Sequence, residues 1–208
     1  MTPQILLDMA QFLKESPIDI ADSVEGEGRG GSLIDEGTVK RILKEKFPGR
    51  IKDMLARRFA DIIVIDDIIG EMPVNIKTSI GGIDNGTSKL GFLFAFTDIS
   101  YHELPRSINN KKFMELIKDH RADIPTKDYW YLCIDKKNPS NVLVRGCKQI
   151  SNWVENANPA NLLQINWKKE KNSNPVMRTY DEAYDVIING IGRCYKKFND
   201  NQPKEWKI

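Results

Sequence analysis

The sequence predicts an α/β (α+β) fold, a mixed central β-sheet with helices on its flanks. Three observations predict it. Apolar residues recur at helical spacing near the start, in the middle and near the end of the chain. Between these stretches lie short apolar runs bounded by turn-forming residues, the pattern of strands. The resulting order is helix–helix–strands–helix–strands–helix, which points to a mixed sheet covered by helices.

PQILLDMAQFLKE carries apolar residues at 5, 6, 9, 10, 12 and 13 and reads as the first helix. SVEGEGRGGSL follows, with four glycines in residues 26–31. It reads as a flexible loop and lacks the GK[ST] ending of a phosphate-binding P-loop. DEGTVKRILKEKF reads as the second helix, with Asp35 as its cap and Val39, Ile42, Leu43 and Phe47 on one side. Pro48-Gly49 stops it. IKDMLARRF reads as a short helical turn. The stretch DIIVIDDIIGEMPVNIKTS supplies two strands, residues 62–65 and 73–78, around an acidic turn. IGGIDNGTSKLG is a second glycine-rich loop and FLFAFTDI a strand. NNKKFMELIKDHRA is a helix, YWYLCID a central strand and NVLVRG another. QISNWVEN reads as a short helix and NLLQINW as a strand. Residues 180–198 form a closing helix, weakened by Gly190 and Gly192.

The totals set bounds. The 208 residues suffice for a single domain, 1–208, with its own core. Hydrophobic residues make up 40% and charged residues 29%, the balance of a globular chain. No apolar stretch nears the ~18 residues that span a bilayer, and Asp8 interrupts the apolar start, so no membrane span or signal peptide is expected. Cys133, Cys147 and Cys194 are odd in number and far apart, which suits a reducing cytoplasm. His102 and His120 lack zinc-site spacing. Residues 136–208 hold 13 Lys+Arg against 7 Asp+Glu, whereas residues 1–135 hold 18 against 22. The basic part suits a polyanionic partner or a solvated surface.

The two strands around DDIIGE carry the chemistry. Folding that hairpin about residue 69 sets Ile65 opposite Pro73 and Asp61 opposite Lys77. Residues two apart share a side of a strand, so Asn75 and Lys77 point together while Val74 and Ile76 face the core. One reading is a cross-strand Asp61–Lys77 ion pair, contributing up to ~1 kcal/mol. The other uses the same atoms as a site. A carboxylate and an amide oxygen are hard ligands. With the Ile76 carbonyl, Asp61 and Asn75 can fill part of a Mg²⁺ octahedron and leave places for water and a phosphate oxygen. Lys77 beside them would orient that water and offset developing charge.

FADIIVID…EMPVNIKTS resembles the active-site hairpin of the PD-(D/E)xK nucleases, in particular the type II restriction endonucleases. Over about 20 residues Asp61 matches the first aspartate, Asn75 the second acidic place and Lys77 the lysine. The chain departs from the pattern at Ala60, where proline is usual, and at Asn75, which replaces an acid. Asp61, Asn75 and Lys77 sum to zero charge, so a further carboxylate would help hold metal. Members of this family often place an acidic residue on the preceding helix, which makes Glu36 the first candidate. Asp66, Asp67 and Glu71 are alternatives, and each of the four also reads as ordinary helix-end or turn polarity.

The resemblance implies a restriction-endonuclease-like sheet, a Mg²⁺ cofactor and double-stranded DNA as substrate. It also implies a homodimer on a palindromic site, a cytoplasmic location and no membrane association. Candidate DNA contacts are Asn85, Ser88 and Lys89 in the loop after Lys77, and Arg145, Lys148 and Gln149 after NVLV. Arg and Lys can bond guanine, and Gln adenine. Lys168, Lys169 and Lys171 suit phosphates or a solvated turn. Tyr129, Trp130, Tyr131 and Trp153 read as core or interface. Other readings stay open: a nicking repair endonuclease, a junction resolvase, a non-catalytic DNA-binding protein with a decayed site, or a structural domain.

Overall fold

A computed structural model describes residues 1–16, 30–54, 59–79, 82–84, 88–155 and 163–200. The chain divides into two compact units, Met1–Ile80 with Lys89–Cys147, and Gly81–Ser88 with Lys148–Ile208.

The first unit is built on a five-stranded sheet. Its strands are β1 (Ile51–Asp53), β2 (Ile62–Asp66), β3 (Gly70–Ser79), β5 (Trp130–Asp135) and β6 (Asn138–Gly146), in the order β1-β2-β3-β5-β6. Neighbours run antiparallel except β3 and β5, which are parallel. That parallel step needs a crossover. It contains α3 (Lys89–Phe96) and α4 (Asn110–Asp119). Asn109 caps α4 by accepting from the Lys112 N–H.

Helices α1 (Gln4–Glu15) and α2 (Gly30–Lys46) supply the apolar cover. Leu6, Met9, Ala10 and Leu13 of α1, with Val39 and Leu43 of α2, pack in one core with Ile62, Val64, Val74, Ile76, Trp130 and Leu132. The alternation of β3 is therefore real: Val74 and Ile76 are buried while Asn75 and Lys77 between them are half-buried. Ile42 and Phe47 pack at the margin, as the spacing of α2 predicts.

The second unit has a three-stranded sheet in the order β4-β8-β7, with β4 (Ile83–Asp84), β7 (Trp153–Glu155) and β8 (Leu163–Asn166). A short helix α5 (Trp167–Glu170) is capped by Asn166. Then α6 (Tyr180–Tyr184), closed by a Thr179–Glu182 capping box, passes through one π-helical stretch, Asp185–Asn189, into α7 (Gly190–Asp200). The closing helix is thus irregular just before Gly190.

Five local expectations are corrected. FLFAFTDI is not a strand: residues through Phe96 belong to α3. Leu90 to Phe96 are all buried, so no polar face marks the helical period. IKD is an edge strand paired with β2 rather than a helical turn; three residues show no period. QISNWVEN is not a helix but a turn leading into β7. There the Glu170 carboxylate, fully buried, accepts from the Ser151 and Asn152 N–H groups and fixes an irregular backbone. Gly30 and Gly31 lie within α2, which places Asp35 inside that helix and not at its cap; the rest of SVEGEGRG lies outside the described residues. Finally, the β2–β3 turn is centred one residue earlier than residue 69. Asp66 Oδ1 accepts from the Ile68 and Ile69 N–H groups, 2.9 Å each, and Gly70 takes φ +85°. Ile65 pairs with Glu71, and Ile63 with Pro73.

Candidate active site

That register decides what meets Asp61. The ladder ends at Ile62↔Val74, and the Asp61 N–H donates to the Val74 carbonyl at 3.0 Å. Asp61 therefore lies across from Asn75, and not across from Lys77. The slip moves the partner by two residues, so the faces are unchanged. Where β2 stops, the side chain of Asp61 continues the pairing: its Oδ2 accepts from the Ile76 N–H at 2.7 Å.

Asp61 is half-buried, and burial raises its carboxyl above the ordinary range. The Ile76 N–H and the charges of Lys77 and Lys40 work against that rise. The Lys77 charge is felt at Asp61, but its ammonium forms no hydrogen bond or ion pair with Asp61 or with any other described residue. The simple Asp61–Lys77 salt bridge is not what occupies this corner.

Asn75 is oriented by an aromatic neighbour. Tyr129 is fully buried, and its hydroxyl donates to the Phe59 carbonyl. Burial, then the nearby Asp61 charge, push the ionisation of Tyr129 far up, and a hydrogen bond from Asn75 pulls against it. The Tyr129 proton is committed to Phe59, so its oxygen can only accept. Asn75 must present its NH₂ to it, which directs Oδ1 elsewhere. Asn75 Oδ1 is buried and has no hydrogen-bond partner among the described residues. An amide oxygen left so costs about 1–3 kcal/mol.

These donors fit a hard divalent ion. An orphaned amide oxygen and a carboxylate with Oδ1 still open stand on adjacent strands, and Mg²⁺ favours such oxygens. Among the described residues no cluster of three or more His, Cys, Asp or Glu side chains could hold a metal. Asp61, Asn75 and the Ile76 carbonyl would therefore carry the protein's share, with water and substrate supplying the rest.

The other candidates fall in several places. Glu36 is half-buried on α2, which packs against β3, and already has an interaction of its own. Asp66 caps the turn. Asp67 pairs with Arg50, and Glu71 with Lys52. Lys89 opens α3 and donates to Asn110 Oδ1. Ser88, before it, is half-buried, and Asn85 lies outside the described residues. Arg145 on β6 is half-buried and donates to the Val144 carbonyl at 2.9 Å. Lys148 sits over the Tyr180 ring at 5.4 Å, and the Gln149 side chain is buried. Lys168 and Lys169 are exposed on α5, with Lys171 half-buried after it. Tyr129, Trp130 and Tyr131 are core, as read from the sequence.

Two residues escaped the sequence reading. Tyr129 orients Asn75, but in YWYLCID it is one aromatic among three. Lys40 bears on Asp61, yet in VKRILKEKF it looks like solvent-facing polarity beside Val39.

No family model matches the chain, and no curated protein matches it.

Proposed function

We propose that the protein is a Mg²⁺-dependent endonuclease of the type II restriction kind, with a restriction-endonuclease-like sheet. It hydrolyses both strands of duplex DNA at a short, palindromic site and leaves 5′-phosphate and 3′-hydroxyl ends. The observation that carries this reading is the buried Asn75 oxygen beside the Asp61 carboxylate, with the Lys77 ammonium one side chain further along the same face of β3, neither having a partner among the described residues.

Asp61, Asn75 and the Ile76 carbonyl would hold the ion, which polarises the phosphate and acidifies a bound water. Lys77 orients the attacking water and balances charge that develops on the phosphoryl oxygens. The Ile76 N–H fixes the Asp61 carboxylate through Oδ2, which leaves Oδ1 for the ion. Tyr129 holds the Asn75 amide in the orientation that offers oxygen rather than NH₂. A homodimer would place two such sites on the two strands of a palindrome.

Digestion of plasmid and phage DNA with Mg²⁺ tests the reading. Discrete bands are the expected result. Relaxed circles would replace it with a nicking enzyme, and a gel shift without cutting would leave a DNA-binding protein with a decayed site. Neither cutting nor binding would sink the proposal outright.

A further inference from the structure

The turn end of β3 borders a cavity of about 370 Å³. It lies within the first unit, between the β2–β3 hairpin, the segment that follows α3 and the residues that lead into β5. Glu71, on its wall, precedes Asn75 by four residues, roughly 13 Å along the strand, so the cavity is separate from the Asp61 corner.

The lining has an apolar part and a polar part. Met72 and Phe94 are buried, and with the half-buried Ile124 they offer an apolar surface. Tyr101 and His102, their ring centroids 3.9 Å apart, add aromatic faces. Three carboxylates share the lining: Glu71, Asp98 and Asp128. A cavity of this size and mixture suits a small organic molecule.

The polar part favours a donor. Lys127 brings an ammonium to the lining, but its Nζ donates to the Thr97 and Ile99 carbonyls at 2.7 and 2.5 Å and lies 4.5 Å from the Phe94 centroid. Outside the lining, Lys52 pairs with Glu71 Oε1. His102 Nε2 is 3.5 Å from Glu71 Oε2, and His120 Nδ1 is 3.1 Å from Asp98 Oδ1. Asp128 Oδ1 accepts from the Tyr129 N–H and the Cys147 thiol. Glu103, held by the Ser100 N–H at 3.0 Å, adds a further negative charge beside the cavity. Lys52 and Lys127 thus offset only part of the acidic charge. Asp98 Oδ2 accepts from no described residue.

We infer that this cavity binds a small protonated amine carried on a flat aromatic body. The body rests on Met72, Phe94 and Ile124, and the ammonium donates to the open Asp98 oxygen. An anion, a DNA phosphate included, would meet the carboxylates instead. The inference stands apart from the nuclease reading.

Titration calorimetry of the full chain with tryptamine tests it. Indole-3-propionate, the same ring bearing a carboxylate, is the comparison. Saturable one-to-one binding of the amine, and none of the acid, is the expected result. Asp98 is largely exposed, so Asp98→Asn should weaken the amine about threefold, the scale of one exposed ion pair. Thr126→Trp, which fills the cavity from an exposed lining position, should abolish binding. Glu15→Gln, on the exposed side of α1, should change nothing. If Asp98→Asn melts below the wild type, Glu71→Gln is measured in its place; if Thr126→Trp does, Ser100→Trp replaces it. Failure of tryptamine to saturate the chain, equal binding of the acid, or wild-type affinity in either cavity variant overturns the inference. So does an equal loss in Glu15→Gln. A chain that binds tryptamine in this way but never cuts DNA loses the nuclease reading and keeps the amine site.

Discussion

Asp61 is held in the folded chain against its own solvation. Burial raises its carboxyl, and the Ile76 N–H, Lys77 and Lys40 offset only part of that. The folded state therefore binds the proton more tightly than the unfolded state does. Stability from this group is greatest below the unfolded value of about 3.9 and is lost as pH rises through the higher folded value. Asp61→Asn should accordingly raise the melting temperature at pH 7, and the gain should vanish near pH 3, as thermal unfolding at the two pH values would show. Such a gain at neutral pH is the mark of a side chain kept for function at the expense of stability. Lys77→Ala should lower cleavage by about 10²–10³-fold, the scale for removing one preorganised electrostatic partner. Duplex affinity should change far less; normal cutting by this variant would remove its role. Asn75→Asp adds a negative charge beside Asp61 and Lys77. It should keep activity and lower the Mg²⁺ concentration needed for half-maximal cutting, read from a metal titration of the digest.

At the scale of elements, the site depends on how two strands end and on what packs behind them. The Asx-type turn at Asp66 sets the β2–β3 register, and the register puts Asp61 across from Asn75. Behind them, α3 presses on Tyr129. A Cβ at Gly91 would lie 2.8 Å from the Tyr129 ring. Gly91→Ala should therefore destabilise the chain by about 1–3 kcal/mol, the usual range for overpacking, measured by urea unfolding. Its effect should extend to the site, since a displaced Tyr129 releases the Asn75 amide. A stability unchanged within error would show that α3 yields without moving that ring. The helix itself was hidden in the sequence because every residue from Leu90 to Phe96 is buried. A helix enclosed on all sides has no polar stripe, and its apolar run reads as a strand.

For the whole molecule, the contrast between an acidic first part and a basic second part softens once the chain is divided by its compact units. Lys136, Lys137 and Arg145 fall in the first unit, while Asp84 falls in the second. The second unit then holds 10 Lys+Arg against 8 Asp+Glu. On the proposed function, phosphate binding should accordingly draw on individual side chains such as Lys77 more than on a broad basic field. Cys133, Cys147 and Cys194 are all buried and form no disulfide among the described residues, and no described helix is long and apolar enough to cross a membrane. If two sites act on a palindrome, sedimentation of the 23.8 kDa chain should give twice that mass. A strict monomer that still makes double-strand cuts would remove the two-fold arrangement from the proposal.

The sequence by itself determined the helix–strand order of most of the first unit. It also determined the faces of β3 and the grouping of Asp61, Asn75 and Lys77 on one hairpin. These are local properties, written in the period-two alternation of VNIKTS and in the turn formers that bound it. Only the tertiary structure decided the partner of Asp61 and the orientation of the Asn75 amide. Each depends on atoms brought together from distant parts of the chain: the cap of a turn, the hydroxyl of Tyr129. A periodic pattern tells which side of an element is buried, but not what lies against it.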